Sequence, residues 1–575
     1  MLLPLGLLYL ASLATAQGET GNNPGWPRWC GKVYKPGYPS FEPGGETVAP
    51  PEVPGPAQLH VQFRPRYNLY LDNEAEGHFV VNAELSRHHG SPLDESRQSP
   101  GTAVAFSITL NSTGAELASG SVAVNSTRNL VPFDLSGVPT SLAPQLAVLR
   151  ATVAGQAQAY VATAELLRLP DKRRGSVTRI DNLGGGLQFR NSASNHTFGP
   201  LLPYGYYASY DGFLRLNDTG PVRRYADLGL TAMTPLTVWA EGGDKLRYMD
   251  DIGLPFMYSL RDGYRNLTYV AESVAPVVDS EALYAYWTAD EPDGWQHPFA
   301  APARARDVVR ALDPYHPVAV TLNCQDYHFG EYAGDGAADV VMEDVYPLIA
   351  SATFSKWGTE CNRTYGDCGC DNCAGGVRDV ARRLDDLARH ERALGRWPKP
   401  KFHNTQSFSG EGYWPRDPTP AESWAMNVLA FNHGATGIVA WVYPASDVLA
   451  AAHGRLSRVV ASPPVVDFLV GGGDNGGPHP VAVPGLGADE IDVAYWTAGG
   501  GGGGDGRLLV AVVNPSATDD RVGDVVVRLP RAAARIDAVP WGSPELWVLA
   551  DGGGTLRAAG NFSAMSTAMI LLTLA

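Results

Sequence analysis

One stretch of the sequence, residues 283–293, reads LYAYWTADEPD. It consists of a short apolar segment, typical of a β-strand, followed at once by a group of carboxylates. Seven more apolar segments occur between residues 200 and 443, and longer stretches with helical periodicity separate them. The eight predicted strands are PLLPYGYYAS (200–209), LTAMTPLTVW (230–239), LPFMYSL (254–260), LYAYWTAD (283–290), PVAVTLN (317–323), DVVMEDVY (339–346), KFHNTQSF (401–408) and TGIVAWVY (436–443).

The order of these segments predicts a (β/α)8 TIM barrel over residues 176–455. Eight strand-then-helix units of about 30 residues each are the number that closes such a barrel. Two of the intervening segments, 301–312 and 375–394, carry the clearest helical pattern. In such barrels the chemistry lies at the C-terminal ends of the strands, so we expect the functional residues there. In 375–394 the apolar residues follow i, i+3, i+4 spacing: Val377, Val380, Ala381, Leu384, Leu387 and Ala388.

The regions on either side of the predicted barrel have a different pattern. Residues 57–175 contain segments such as LHVQF and AVAFSITL, whose alternation predicts an N-terminal β-sandwich. Residues 456–575 return to strands such as EIDVAYWTA and RLLVAVVNP, which predict a C-terminal β-sandwich, with the glycine run 499–504 as a hairpin tip. Residues 18–56, rich in Gly and Pro, are predicted to form an extended arm. The chain of 575 residues is therefore predicted to be multidomain.

The composition excludes several classes of protein. Lys and Arg number 44 against 60 Asp and Glu, which gives a net charge of −16. This balance disfavours nucleic-acid binding, which needs clustered positive charge. Gly and Pro together account for 108 of 575 residues, below the roughly 25–30% of low-complexity chains. A collagenous or mainly disordered protein is thereby excluded.

Both termini bear on localisation. Residues 1–17 read MLLPLGLLYLASLATAQ, an apolar run too short to span a bilayer before a small-residue cleavage motif, which predicts a secretory signal peptide. The apolar run 568–575 is also too short for a membrane span and is predicted to be a final strand. We therefore expect an extracellular protein without a membrane partner; the sequence does not indicate its oligomeric state. Seven N-glycosylation sequons agree with secretion, at Asn111, Asn125, Asn195, Asn217, Asn266, Asn362 and Asn561.

The six cysteines predict disulfides, because an even number in a secreted chain favours bridges over free thiols. Four of them lie within thirteen residues and are predicted to pair among themselves and pin a long loop: Cys361, Cys368, Cys370 and Cys373. Cys30 is then left to bridge Cys324, which ties the arm to the fifth barrel strand. Zinc binding by the four clustered cysteines is the alternative.

Four motifs of the chain together resemble a known family. Asp290-Glu291-Pro292 resembles the Asn-Glu-Pro at the end of strand four in clan A glycoside hydrolases, where that Glu is the general acid/base. Together with EDVYP (343–347), QSFSGEGYW (406–414) and HGATGIVAW (433–441), it resembles secreted fungal and bacterial proteins described as having a glycoside hydrolase catalytic core. The resemblance covers roughly 200–445 and, in the fungal members, also the arm around RWCGKVY and the flanking β domains.

The resemblance implies a glycoside hydrolase that cleaves a poly- or oligosaccharide with two carboxyl groups. One must be protonated to assist the leaving oxygen, and the other must be ionised. Glu291 is the candidate acid, because Asp290 beside it and the apolar rings of Trp287 and Trp295 would raise its pKa. A structural role for Glu291, as a helix cap or an arginine partner, is the alternative.

The second carboxylate has two candidates. The nucleophile of the family is a Glu at the end of strand seven, where this chain has Gln406. Asp344 ends strand six, and a strand end holds a side chain more rigidly than a loop does, which favours it. Glu343 points to the opposite face of that strand. Glu411, on a glycine-flanked loop, is the other candidate.

Aromatic and polar side chains near the strand ends are the predicted sugar-binding residues, and no metal or cofactor motif occurs. Flat rings can stack against sugar rings, and polar groups can hydrogen-bond hydroxyls. Because Gln406 replaces the expected Glu, a non-catalytic carbohydrate-binding or cell-wall protein on a degenerate glycosidase barrel is the competing hypothesis. The aromatic candidates are Tyr206, Trp239, Tyr258, Trp287, Tyr346, Trp414, Trp441 and Tyr443, and the polar ones are Asp290, Asn323, Gln325, His328, His403 and Gln406.

Overall fold

The structure is a computed structural model that describes residues 28–35, 45–348, 353–471, 477–487, 489–498, 506–523 and 525–575. The predicted signal peptide and the six-glycine run lie outside the described residues.

The N-terminal part of the described chain is a β-sandwich, as predicted. Two four-stranded antiparallel sheets, in the orders β11-β10-β7-β8 and β6-β3-β5-β9, enclose an apolar core. Apolar and polar residues alternate along the strands, so one face of each strand packs into the core. In β3, Leu59, Val61 and Phe63 are buried while the residues between them are half-buried. The strands are β1 (Arg28–Trp29), β2 (Lys32–Val33), β3 (Gln58–Pro65), β4 (Tyr70–Leu71), β5 (Glu76–Ser86), β6 (Ser91–Pro92), β7 (Ala103–Leu110), β8 (Glu116–Ala123), β9 (Ser126–Asp134), β10 (Gln145–Val153), β11 (Ala159–Leu166) and β12 (Arg168–Leu169).

A small antiparallel sheet separates this sandwich from the barrel. It consists of β13 (Val177–Ile180), β14 (Leu187–Arg190) and β15 (Gly199–Leu201). Ile180 and Leu187 of this sheet pack in one cluster with side chains inside the barrel, such as Met257. The sheet therefore joins the core of the barrel, within the range predicted for the barrel itself.

Eight parallel strands close into a barrel, and each predicted strand is present. The first strand pairs with the last, which completes the ring. The elements are β16 (Tyr204–Ala208), α1 (Gly220–Asp227), β17 (Ala232–Pro235), α2 (Trp239–Ile252), β18 (Phe256–Ser259), α3 (Leu267–Val274), β19 (Leu283–Asp290), α4 (Ala300–Leu312), β20 (Val318–Leu322), α5 (Phe329–Tyr332), β21 (Val340–Val345), α6 (Arg378–Ala393), β22 (Lys401–Thr405), α7 (Pro420–Asn432), β23 (Ala435–Tyr443) and α8 (Asp447–Val460).

The C-terminal part forms a second antiparallel β domain with its own core. Helix α8 continues through the predicted boundary at 455, because its buried His453 packs against Tyr204 of β16. The predicted final strand forms β33, between β26 and β29. The elements are α9 (Val465–Leu469), β24 (His479–Pro480), β25 (Asp492–Ala498), β26 (Arg507–Val513), β27 (Arg521–Val522), β28 (Val526–Arg528), β29 (Ala533–Trp541), β30 (Trp547–Ala550), β31 (Thr555–Ala558), β32 (Asn561–Phe562) and β33 (Thr567–Leu574). Among the helices of the described ranges, none is long and apolar enough to cross a membrane.

Three disulfides form, with the predicted pairing. Cys30 bridges Cys324 over a separation of 294 residues and ties the arm to the end of β20. Within the loop before α6, one bridge joins residues 361 and 368 and another joins residues 370 and 373. Because all four clustered cysteines are in disulfides, none remains as a thiolate ligand for zinc.

Close packing of the barrel wall makes Gly205 of β16 sensitive to substitution. A Cβ added there would lie 1.8 Å from the carbonyl oxygen of Ala232 and 2.6 Å from the hydroxyl of Tyr225. We expect Gly205→Ala to lower the free energy of unfolding by about 3 kcal/mol, the upper end for overpacking, measured by chemical denaturation. Gly212→Ala is the control, because its nearest neighbour would be an atom of Pro444 at 3.7 Å. Equal stability of the two variants would contradict this account of the strand packing.

Candidate active site

A cavity of about 1160 Å³ opens at the C-terminal ends of the barrel strands. Its floor is formed by polar side chains from these strand ends. Its walls come from three segments outside the barrel strands: the arm around 29–35, the disulfide-bonded loop 356–373 and the loop 408–414. The residues that form the floor are Tyr207, Asp290, Glu291, Asn323, Asp344, Tyr346 and Trp441.

Glu291 follows the last residue of β19 and projects into this cavity. Its backbone φ of 45° lies in the left-handed region, which is uncommon for a residue other than glycine and occurs often at functional sites. Its Oε1 accepts a hydrogen bond of 2.8 Å from the side-chain amide of Asn323. Burial raises the pKa of Glu291 well above its usual range, and the negative charges of Asp344, Asp290 and Asp293 raise the pKa further.

Asp344 of β21 lines the same cavity as Glu291, and its charge acts on Glu291. Its Oδ1 accepts a hydrogen bond of 2.6 Å from Asn404, its partner in register on β22. Burial and the nearby charge of Asp290 raise the pKa of Asp344 to about 8, although the hydrogen bond from Asn404 opposes the shift. Two neighbouring carboxyl groups cannot easily both be ionised, so the pair holds at least one proton at neutral pH.

Asp290 ends β19 and is the third carboxylate on the floor. Arg261 donates a hydrogen bond of 2.9 Å to its Oδ2 and neutralises it. The guanidinium of Arg261 also lies 5.4 Å from the ring centre of Trp287 and 5.6 Å from that of Trp441. Burial raises the pKa of Asp290, and the charge of Arg261 opposes the shift. Asp290 therefore acts electrostatically on the pair beside it while held by its own cation.

Glu411 lies on the rim of the cavity, on an exposed loop. Its loop also carries Phe408 and Trp414, whose rings pack around Tyr346 and line the same wall. The charge that acts on Glu291 is thus that of Asp344, and not that of Glu411.

The other predicted sugar-binding residues divide into two groups. Asp290, Asn323, Tyr346, Trp414 and Trp441 line the cavity, whereas the remaining candidates do not. Outside the lining lie Tyr206, Trp239, Tyr258, Trp287, Gln325, His328, His403, Gln406 and Tyr443.

Two of the residues outside the cavity lie on the opposite face of their strand. Tyr206 is fully buried, and its hydroxyl is 3.2 Å from that of Ser407. His403 is also fully buried, and its Nδ1 lies 2.6 Å from a carboxyl oxygen of Glu343. Because successive strand residues face opposite sides, their neighbours Tyr207 and Asn404 face the barrel interior instead.

Three more of the residues outside the cavity are held elsewhere by specific contacts. Trp287 is fully buried below the floor, where its ring lies 4.7 Å from that of Tyr207. Gln406 accepts a hydrogen bond from the backbone of Leu348 and so holds that loop. Trp239 begins α2 and packs under Arg247. These contacts give structural roles to residues that the sequence placed in the sugar-binding site.

Sequence reasoning missed Tyr207, Asn404, Arg261 and Trp29. A signal existed for two of them. Asn404 lies in register with Asp344 on the next strand, and the predicted Cys30–Cys324 bridge places Trp29 near the end of β20. Arg261, on the loop after β18, carried no pattern that distinguishes it from a surface arginine.

A Ser–His–Asp arrangement also occurs, between the domain junction and α4. Ser176 Oγ lies 3.1 Å from His316 Nε2, and His316 Nδ1 lies 2.8 Å from Asp313. All three residues are buried, and the serine hydroxyl is within hydrogen-bond distance of the carbonyl oxygens of Ser280 and Leu283. None of the three lines the cavity above. The arrangement therefore joins the domains rather than acting on a substrate.

Within the described ranges, no group of three or more His, Cys, Asp or Glu side chains is placed to hold a metal ion. No protein-family model matches the sequence, and no curated protein matches it significantly.

Solved structures do resemble the chain. The β-glucuronidase of Parabacteroides merdae shares 11% identity over 90% of this chain and 74% of its own, with a TM-score of 0.32. A glycoside hydrolase family 5 protein from Bacteroides vulgatus shares 10% over 65% of this chain and 89% of its own, with a TM-score of 0.40. An Anoxybacillus α-amylase shares 9% sequence identity over 65% of this chain and 98% of its own, with a TM-score of 0.39. The likeness concerns the fold, so the function must be argued from the site.

Proposed function

We propose that the protein is a glycoside hydrolase in which Glu291 is the general acid/base and Asp344 is the second carboxyl group. One observation carries the proposal: Glu291 and Asp344 both line the floor of a large cavity at the C-terminal end of a TIM barrel, where burial and the charges of neighbouring carboxylates raise their pKa values. Glycosidic cleavage needs one protonated and one ionised carboxyl group. A pair that holds a single proton supplies both.

The surroundings support an order in which Glu291 carries the proton. Asp344 accepts a hydrogen bond from Asn404, and a hydrogen bond of this kind favours the ionised form of a carboxyl group, so Asp344 ionises before Glu291. Glu291 is surrounded by three other carboxylates, which favour its protonated form.

We propose a retaining mechanism, in which one carboxyl group is the acid/base and the other is the nucleophile. Glu291 and Asp344 line the same cavity, and the charge of Asp344 raises the pKa of Glu291. Asp344 would attack the anomeric carbon while the bond to the leaving oxygen breaks and that oxygen takes the Glu291 proton. Glu291 would then deprotonate a water molecule, whose attack on the same carbon releases Asp344.

The walls suit a carbohydrate of several sugar units. The cavity exceeds the roughly 300–1,000 Å³ of a site for a drug-sized ligand. Aromatic rings line the cavity, among them Trp29, Trp295, Tyr413 and Trp414. Flat rings of this kind can stack on sugars.

We further propose that the protein is secreted and glycosylated. Three disulfides support an oxidising compartment. The asparagines of all seven sequons are exposed, as glycosylation requires. A loss of mass after glycosidase treatment of the native protein would test this.

A panel of aryl glycosides and polysaccharides tests the proposed activity. Turnover of at least one substrate by the wild type, with retention of anomeric configuration by NMR, is the expected result. Binding of a glycan without any turnover would instead support the non-catalytic alternative.

Ser176 allows a prediction that separates this site from a serine hydrolase. Ser176→Ala is expected to leave kcat/KM for the glycoside within about twofold, because the hydroxyl touches no cavity residue. The variant should still lose about 1–3 kcal/mol of stability, since it leaves a buried histidine nitrogen without its partner. Thermal unfolding and glycosidase assays on the same preparation measure both effects; loss of activity from a folded S176A variant would reassign the catalytic centre.

A further inference from the structure

We propose that Trp29, on the N-terminal arm, is a positioning residue for Glu291, which it orients through the side-chain amide of Asn323. The inference rests on the proposed function, since it deepens the role of the same site. Trp29 lies 294 residues away from Asn323 along the chain.

Two hydrogen bonds form the connection. The indole Nε1 of Trp29 donates to Asn323 Oδ1 at 2.7 Å, and Asn323 Nδ2 donates to Glu291 Oε1 at 2.8 Å. An indole nitrogen is a donor only, so it can bond just the oxygen end of the amide. Trp29 therefore fixes which end of Asn323 faces Glu291.

The amide orientation decides where the Glu291 proton can go. With Nδ2 towards it, Asn323 can only donate, and the proton of Glu291 stays available to Asp344 and the substrate. A flipped amide would present Oδ1, which accepts that proton and holds Glu291 in a neutral form turned away from the reaction.

Trp29 is held firmly enough to play this role. It ends β1, which pairs with β2 across a two-residue turn at Cys30 and Gly31, both with positive φ. Such a turn matches the twist of paired strands. Gly31 is required there, because a Cβ would lie 2.2 Å from the Tyr327 ring. The Cys30–Cys324 bridge then links the residues next to Trp29 and Asn323.

The opposite side of the indole is equally confined. A Cβ on Gly294 would lie 2.6 Å from the Trp29 ring, and Trp295 packs edge-on at 5.1 Å. Asp293 accepts hydrogen bonds from the backbone amides of Asn323 and Cys324, so the segment after Glu291 is fixed to the same strand end.

The variant that tests the inference is Trp29→Phe, which keeps a ring but removes the donor. We expect kcat to fall about tenfold with KM within twofold, and the basic limb of the pH profile to move up by about one unit. Trp295→Phe is the matched control, because its ring lines the same cavity and, among the described contacts, its indole makes no hydrogen bond to Asn323 or Glu291. The backbone amide that Trp295 donates to the Glu291 carbonyl is kept in the variant, so the basic limb of its pH profile should stay in place. The charged and titratable groups that face Glu291 and are unchanged in both variants are Asp290, Asp293, Asp344, Tyr207 and Tyr346, with Arg261 on Asp290.

A readout without substrate separates this inference from the proposed function. The ¹⁵N indole resonance of Trp29, identified by its absence from W29F, is expected to shift as Glu291 titrates in the wild type and to stay constant with pH in Glu291→Gln. If no glycoside is turned over, the proposed function fails. The titration still tests whether Trp29 is coupled to Glu291 through Asn323, because it needs no substrate. The inference would be overturned by a Trp29 resonance that does not shift as Glu291 titrates. It would also be overturned by a W29F variant with wild-type activity and an unchanged pH profile.

Discussion

Replacing Glu291 with Gln is expected to lower kcat/KM by about two to four decades, the usual contribution of general acid/base catalysis. Glutamine keeps the size and the acceptor for the Asn323 amide, but it cannot give a proton to the leaving oxygen. The loss should be greatest for substrates with poor leaving groups and least for activated aryl glycosides, because the latter need little protonation. Steady-state assays on both substrate types measure it.

Glu411→Gln is the control for this experiment. Glu411 lines the rim of the same cavity but is exposed and not in contact with the pair. We expect its kcat to change less than fivefold. An active Glu291→Gln variant together with an inactive Glu411→Gln variant would exchange the roles of the two residues.

The barrel could be predicted from sequence because each of its strands is a short apolar run between helical segments. Which face of each strand points inwards was harder. Tyr206 and Tyr207 are the same residue type, and both are fully buried, one against the helices and the other towards the cavity. Residue type cannot distinguish these two faces of the strand. An error of one residue in placing the strand moves every side chain to the opposite face.

The same ambiguity affected the seventh strand. β22 ends at Thr405, so Gln406 lies beyond it, where strand alternation no longer dictates direction. Asn404 is the residue of this strand that reaches Asp344. Because the strand-seven Glu is absent, Asp344 is the candidate second carboxyl group for Glu291, and the degenerate barrel is the alternative that the activity assay tests.

Residues from outside the barrel were the least predictable part of the site. Trp29 and the loop 356–373 reach the cavity through contacts of long sequence separation. Periodicity reports only local structure, and among the sequence signals only the predicted Cys30–Cys324 bridge linked the arm to a strand end. The positioning of Glu291 depends on such a contact, so it could not be inferred from the barrel alone.

Replacing Asp344 with Asn is expected to abolish turnover and, at alkaline pH, to stabilise the protein. The pKa of Asp344 is raised from 3.8 to about 8 in the folded state, chiefly by burial. Below pH 4 the group is protonated in both states and does not affect folding. Between pH 4 and 8 the unfolded chain releases the proton while the folded one keeps it, so the free energy of unfolding falls as the pH rises.

Asparagine removes this dependence, since it does not ionise. The gain in stability of Asp344→Asn should therefore be near zero at pH 4 and grow to a few kcal/mol by pH 8, with about 6 kcal/mol as the ceiling set by 1.36 kcal/mol per pKa unit. Denaturation of both proteins at several pH values measures it, and Asp211→Asn, at a side chain 83% exposed, is the control. A gain that did not change with pH would mean that the folded protein does not keep the Asp344 proton over this range, which would contradict the raised pKa of Asp344.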